Sequence, residues 1–224
     1  MKKAIVIGSS GAIGQAVSQC CESQGMSVVR LSRPALDLSS EQSIIEAAEA
    51  LKPQGYFDLI FVASGILHTP ELKPEKSIKQ INPDHFHTLF QINAIGPILV
   101  LKHFSSLLNP ETRSVFAALS ARAGSISDNQ LGGWYGYRAS KAALNMFLKT
   151  ASIEYHRTMK NLIIAGFHPG AVDSHLSKPF QSNIPKEQLF TPEFSAAQLL
   201  QVINKLKPED SGNLLAWDGE TIAF

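Results

Sequence analysis

A chain of 224 residues, 44% hydrophobic and 17% charged, has the balance of one ordinary globular domain and lacks the signature of a disordered segment. Its formal net charge of +1 gives no footprint for nucleic acid or an anionic membrane. No apolar run approaches the roughly 20 residues that span a bilayer.

The opening segment, Met1 to Gly8, has a basic pair and a four-residue apolar run, which predicts a strand and not a signal peptide. Further strands are expected at Ser27–Leu31, Asp58–Ala63, Ser114–Leu119, Leu162–Phe167 and Asn213–Trp217, after the first at Lys3–Ile7. Several are apolar at consecutive positions, as strands covered on both faces should be. Between them helical patterns run near Gly14–Gln24, Ser40–Leu51, Pro83–Leu108, Tyr135–Arg157 and Ser195–Leu206. This alternation predicts βαβ units around a parallel sheet in a single domain, residues 1–224. Arg33 and Asp37 are only four residues apart, so the second crossover helix has no room, and a very short strand is expected around Ala35–Asp37. His68–Pro83 is expected as a loop. Cys20 and Cys21 share a predicted helix and point about 100° apart, so they form neither a structural disulfide nor a metal site. Unpaired thiols suit a cytoplasmic protein. The histidines show no metal-ligand spacing, so no metal is expected.

Gly8-Ser-Ser-Gly11-Ala-Ile-Gly14 follows the first strand directly and opens a helix. Such a turn lets the backbone approach a pyrophosphate, and the free N–H groups of the helix start attract it. Gly8, Ser10, Gly11, Ala12, Ile13 and Gly14 are therefore the first cofactor-binding candidates. The second strand ends Arg30-Leu31-Ser32-Arg33, where an acidic residue would select the plain ribose. Ser32 and Arg33 instead offer a hydroxyl and a bidentate cation to a 2′-phosphate, which favours NADP(H) over NAD(H). Asp37 and Leu38 would then lie beside the adenine.

Far downstream, Tyr137 and Lys141 are four residues apart, which puts a phenol and an ammonium on one helix face. Tyr135, the rival phenol, has no lysine four residues on.

With these residues assembled, the chain resembles the short-chain dehydrogenase/reductase family, in the carbonyl reductase branch that includes C-factor-like and sniffer-like proteins. The resemblance spans essentially all 224 residues. It rests on the glycine turn, Asn93 in Gln-Ile-Asn-Ala-Ile-Gly-Pro97, Ser120 in Leu119-Ser-Ala-Arg-Ala-Gly-Ser125, and Tyr137 with Lys141. Pro169-Gly-Ala-Val-Asp-Ser174 and the ending Trp217-Asp-Gly-Glu220 also match. It implies a Rossmann-type, doubly wound α/β domain of about seven parallel strands with helices on both faces. The implied activity is NADP(H)-dependent interconversion of a carbonyl and an alcohol. Tyr137 is then the acid and base, and Lys141 lowers its pKa from about 10 and holds the nicotinamide ribose. Asn93 organises a proton-relay water, and a serine hydroxyl steadies the substrate oxygen. Ala63, Ser64, Gly65, Pro169, Gly170, Val172 and Ser174, together with Tyr137 and Lys141 themselves, complete the implied cofactor set.

Three positions depart from the family pattern. Gly11 comes three residues after Gly8, with Ala12 at the usual second-glycine position. Ala63-Ser64-Gly65 replaces the usual Asn-Ala-Gly. The usual catalytic serine position, three residues before Gly124, is Ala121, which leaves Ser120 as the first candidate and Ser125 as the second. His175–Phe190 is expected as a lid whose Leu176, Phe180, Ile184 and Phe190 face an uncharged aldehyde or ketone. Arg122 offers an alternative contact to an anionic group. The implied partner besides the small-molecule substrate is a second copy, in a homodimer or homotetramer. A second reading is a cofactor-binding regulatory protein of the same fold with little turnover.

Overall fold

The computed structural model describes residues 2–224 and shows a central sheet with helices on both faces. The chain runs β1 (Lys3–Ile7), α1 (Ala12–Ser23), β2 (Ser27–Leu31), α2 (Glu41–Leu51), β3 (Leu59–Val62), α3 (Pro83–Phe90), α4 (Gly96–Phe104) and β4 (Ser114–Leu119). It continues through α5 (Tyr135–Tyr155), β5 (Leu162–His168), β6 (Ala171–Val172), β7 (Leu189–Phe190), α6 (Pro192–Lys205), β8 (Leu214–Ala216) and β9 (Thr221–Ile222).

Strand order in the main sheet is β2-β1-β3-β4-β5-β8-β9. From β1 the chain moves outward to β2, then returns across β1 to β3, so the winding reverses between β1 and β3. Crevices at the carboxyl ends of strands beside such a reversal are where ligands bind in open α/β sheets. Strict alternation along the strands divides the core in two. Ile5, Ile60, Phe116 and Ile164 pack under α2, α4 and α5, while Val6, Phe61, Ala117 and Ala165 pack under α1 and α6. Every residue of β4 is buried, as the consecutive apolar run requires.

Three expectations need correction. Arg33–Asp37 forms turns with no strand, so β2 is the sheet edge and is only partly buried. Six of the seven strands are parallel, and the seventh, β9, is antiparallel to β8. A tight turn through Gly219, at φ 92°, joins that last pair, a link available only to antiparallel neighbours. The expected helix Pro83–Leu108 is also interrupted. Residues Gln91–Ile95 form one wide turn, in which the Gly96 N–H donates to the carbonyl of Gln91, five residues back. Pro97 has no N–H to give the carbonyl of Asn93, which favours a local break in the ordinary ladder.

The first strand and first helix meet at the glycine turn. A Cβ on Gly14 would lie 2.2 Å from the carbonyl oxygen of Gly8, whose own φ is 81°. That contact cannot be relieved by a rotamer change, because backbone lies on both sides. Gly14→Ala is therefore expected to lower thermal stability by more than 5 °C, roughly 2 kcal/mol or more, in a calorimetric scan. Gly25→Ala is not an equivalent control, since Gly25 has positive φ; Gly11→Ala is, with nothing closer than 3.4 Å.

Candidate active site

The carboxyl ends of β1, β3, β4 and β5 open onto a groove of two joined chambers, each of about 450 Å³. Gly11, Arg33 and Ala63-Ser64-Gly65 line both. The first chamber adds Gly8, Ser10, Ser32, Asp37 and Leu38, and the second adds Ala12, Ile13, Ser120, Tyr137, Lys141, Pro169 and Ser174. Gly170 and Val172 line instead a third, adjoining chamber of about 250 Å³, together with Leu67, Ala121, Trp134, Leu176, Phe180 and Ile184. Gly14 and Asn93 line none of these chambers and act from behind their walls.

The groove fits a dinucleotide on its own geometry. The α1 start has no side-chain cap and no acidic residue in its first turn, so its N–H groups face the groove unopposed. Arg33 is the cation in the lining of the first chamber and borders the second as well. Asp37 beside it is engaged elsewhere: its Oδ1 accepts from the N–H of Ser39 at 2.8 Å and from its hydroxyl at 2.7 Å. Those two bonds, with Arg33 nearby, hold its carboxyl below the usual range.

Tyr137 and Lys141 sit in the first two turns of α5, which packs over the ends of β4 and β5. Tyr137 is 8% exposed and Lys141 3%. Lys141 Nζ donates to the carbonyl of Leu119 at 2.8 Å and stands 5.9 Å from the Tyr137 ring centroid. The lowering of the Tyr137 pKa by Lys141 is not what the protein alone displays. Burial pushes the phenol up to about 12 and brings the ammonium down to about 8, so each drifts toward its neutral form.

Asn93 is fully buried in the wide turn between α3 and α4. Its Oδ1 accepts from the Ile66 N–H at 2.8 Å, and its Nδ2 donates to the Ile66 carbonyl at 2.8 Å and to Ser140 Oγ at 3.1 Å. It thus ties the loop after β3 to α5. A Cβ on Gly65 would lie 3.4 Å from both Asn93 Oδ1 and Lys141 Nζ, which places these three residues around one point.

Ser120 and Ser125 diverge. Ser125 is buried away from the groove, where its hydroxyl donates to the carbonyl of Ala223. Ser120 lines the groove, and its hydroxyl donates to Asn145 Oδ1 at 2.6 Å. The amide of Asn145 cannot be reversed, because its Nδ2 donates to the carbonyl of Gly124 at 3.2 Å, which only accepts. The single hydrogen of Ser120 is therefore committed to Asn145, and toward the chamber it offers a lone pair. Ala121 packs its methyl group with Tyr137 and Leu67 in the third chamber's wall.

The sequence profile of the family described as short chain dehydrogenase matches residues 30–185. The chain belongs to the short-chain dehydrogenase family. It is 27% identical to a 1-hydroxy-2-glutathionyl-2-methyl-3-butene dehydrogenase of Rhodococcus sp. (strain AD45), over 98% of each protein. It is 32% identical to the C-signal protein of Myxococcus xanthus, over 60% of this chain and 76% of that one. Its fold matches the NADPH-bound carbonyl reductase from chicken fatty liver with a TM-score of 0.86 at 22% identity, covering 100% of this chain and 99% of that one. Carbonyl reductase Sniffer of D. melanogaster matches at 0.81 and 19%, covering 100% of both. The protein is thus an NAD(P)-dependent oxidoreductase of the short-chain class.

The segment His175–Phe190 of this short-chain dehydrogenase, expected as a lid, departs from expectation at one residue. Leu176, Phe180 and Ile184 face the third chamber, but Phe190 turns away and packs on Trp217 at 4.6 Å and Phe194 at 4.8 Å. Arg122 is spent on Glu220 at 2.7 Å and Asp128 at 3.6 Å, outside the chambers.

Three side chains around the dehydrogenase site escaped sequence reasoning: Glu75, Asn145 and His168. Asn145 lies four residues after Lys141 on the same helix face, a spacing that could have marked it. Nothing in its loop marked Glu75, which is 3% exposed and has no basic partner among the described residues. Its carboxylate accepts from the Gly136 N–H at 3.2 Å, and its main-chain carbonyl accepts from the Trp134 N–H. Between them Trp134 is held at φ 52°, ψ 44°, a left-handed conformation costly for a residue with a Cβ. Glu75 thereby clamps the turn that delivers Tyr137. Glu75→Ala is expected to lower the melting temperature by roughly 4–8 °C, about 2 kcal/mol, whereas Glu75→Gln, which keeps an acceptor, holds it within about 2 °C. Equal losses in the two variants, by thermal scan, would show that charge and not geometry secures the turn.

Proposed function

We propose that the protein interconverts uncharged carbonyl compounds and their alcohols with NADP(H), using Tyr137 as the acid and base. The observation that carries this reading is the burial of Tyr137 and Lys141 together where the groove meets the apolar third chamber. Gly8, Ser10, Gly11, Ala12 and Ile13 would cradle the pyrophosphate, with Gly14 packing the turn beneath them. Ser32 and Arg33 would take the 2′-phosphate, and Asp37, Leu38 and Ala63-Ser64-Gly65 the adenosine side. Pro169 and Ser174 flank the nicotinamide end, with Gly170 and Val172 shaping the turn behind them. When bound, the cofactor supplies or accepts the hydride.

Tyr137 gives its phenolic hydrogen to the carbonyl oxygen in reduction and recovers one in oxidation. Lys141, protonated at neutral pH even with its pKa near 8, is the cation set to stabilise the phenolate. Asn93 fixes Ile66 and Ser140 around that pair and anchors the path by which the proton is replaced. Ser120 completes the wall as an acceptor, since its own hydrogen goes to Asn145. The third chamber has no charged residue in its lining, which suits an apolar substrate. Exposed Met146, Phe147 and Ile153 on α5 support a homodimer or homotetramer. Free thiols at Cys20 and Cys21 support a cytoplasmic location.

Arg33 is the test of cofactor choice. Arg33→Ala is expected to weaken NADPH binding by roughly 10–100-fold in calorimetry, the value of a charged phosphate pair, and to change NADH binding less than threefold. Equal weakening of both would remove the arginine from 2′-phosphate recognition.

A second reading, a cofactor-binding regulator, draws support from Ala121 at the family's hydroxyl position and from Ser120's commitment to Asn145. Turnover decides between them. Wild-type protein with NADPH is expected to reduce aldehydes or ketones, and Tyr137→Phe to lose at least a thousandfold in kcat/KM with cofactor affinity unchanged. Tight NADPH binding with no turnover across aldehydes, ketones and quinones favours the regulator.

A further inference from the structure

The third chamber holds an imidazole to which the reaction just described gives no part. His168 ends β5 and lines this chamber, but not the one that Lys141 and the glycine turn share. Register places it beside Ser120. Leu119 pairs with Phe167 across β4 and β5, and the Ser120 N–H donates to the Phe167 carbonyl. Residues 120 and 168 therefore project to the same face of the sheet, toward α5.

Its hydrogen bonding is incomplete. His168 Nδ1 is buried with no partner among the described residues. A dry lone pair is tolerated better than a dry N–H, so the proton belongs on Nε2. With Nδ1 sealed off, Nε2 is the ring nitrogen free to meet a ligand, on a residue that lines the chamber. The ring is also neutral. Burial, aided by the charge of Arg122, takes its pKa down to about 4, against smaller opposing effects of Asp218 and Asp128. A neutral N–H donor in an apolar chamber matches an uncharged oxygen and not a carboxylate. Ser120 cannot fill that role, because its hydrogen is used.

We propose that His168 is a substrate-binding residue whose Nε2–H donates to a second oxygen of the substrate, so that the preferred substrates are uncharged carbonyl compounds bearing another carbonyl or hydroxyl on an apolar skeleton. The second oxygen is distinct from the reacting one, since Tyr137 lines both chambers and His168 only the outer of the two. This rests on the carbonyl reading of the site.

The test pairs 1-phenyl-1,2-propanedione with 1-phenyl-1-propanone, followed by NADPH absorbance in wild-type protein, His168→Leu and His168→Gln. Comparing each ketone across variants cancels their different intrinsic reactivities. His168→Leu is expected to lower kcat/KM for the diketone at least tenfold, mainly through KM, and to leave the monoketone within about twofold. The amide N–H of His168→Gln should restore part of the loss. NADPH affinity, measured on the same samples, checks that the site is intact, and a variant that fails to fold yields its place to His168→Asn. Equal losses for the two ketones, or none for the diketone, overturn the assignment while leaving the carbonyl reading standing. Wild-type protein that binds NADPH and reduces neither ketone nor simple aldehydes overturns both.

Discussion

The site is organised around an ammonium buried with too few partners. Lys141 is almost sealed from solvent, is paired with no carboxylate among the described residues, and gives one hydrogen bond to the carbonyl of Leu119. Taking such a charge from water is expensive, and the fall of its pKa to about 8 is the mark of that expense. The surroundings are arranged to limit it without removing it. Gly65 leaves open the space that a Cβ would fill against Nζ, and Asn93 on the other side of that space spends its two N–H bonds on Ile66 and Ser140 and accepts from the Ile66 N–H. A carboxylate in place of Gly65 or Asn93 would quench the charge and with it any influence on the phenol 5.9 Å away.

This need explains the local architecture between β3 and α5. The wide turn at Gln91–Ile95 rotates Asn93 inward from a helix that is otherwise apolar on that side, and Pro97 is what loosens the ladder there. At the other end of the same contact, the left-handed Trp134 and its Glu75 clamp set where α5 begins, and therefore where its first turn puts Tyr137. The strain at Trp134 is repaid by contacts. Its ring meets Tyr137 edge-on at 6.1 Å and Phe180 of the lid at 5.0 Å, joining helix start and lid in one aromatic cluster.

What the sequence disclosed and what it withheld follow from the range of each interaction. Strands such as Lys3–Ile7 and Ser114–Leu119 are legible because alternating burial on two covered faces leaves a local apolar run. The glycine turn and the Tyr137–Lys141 spacing are legible because their geometry is set within a few residues. The absence of a strand at Arg33–Asp37 and the antiparallel β9 were not legible, since both depend on which edge of the sheet is left open. The serine question was likewise undecidable locally. Only the Gly124 carbonyl, brought near by a tertiary contact, fixes the amide of Asn145 and hence the direction of the Ser120 hydrogen.

Burial also sets the electrostatic character of the site. Burial holds Tyr137, Lys141 and His168 each toward the uncharged form, while Arg33, a fixed cation, lines both chambers of the groove. The third chamber, by contrast, has no charged residue in its lining. In so buried a site the positive charge of Lys141 beside the phenol acts through a low effective dielectric and is worth far more than at the surface. The protein then need not keep a permanently ionised tyrosine. On the proposed reading Tyr137 is a neutral acid whose ionisation would become accessible when the groove and chamber are filled together, which would couple proton transfer to the presence of both reactants.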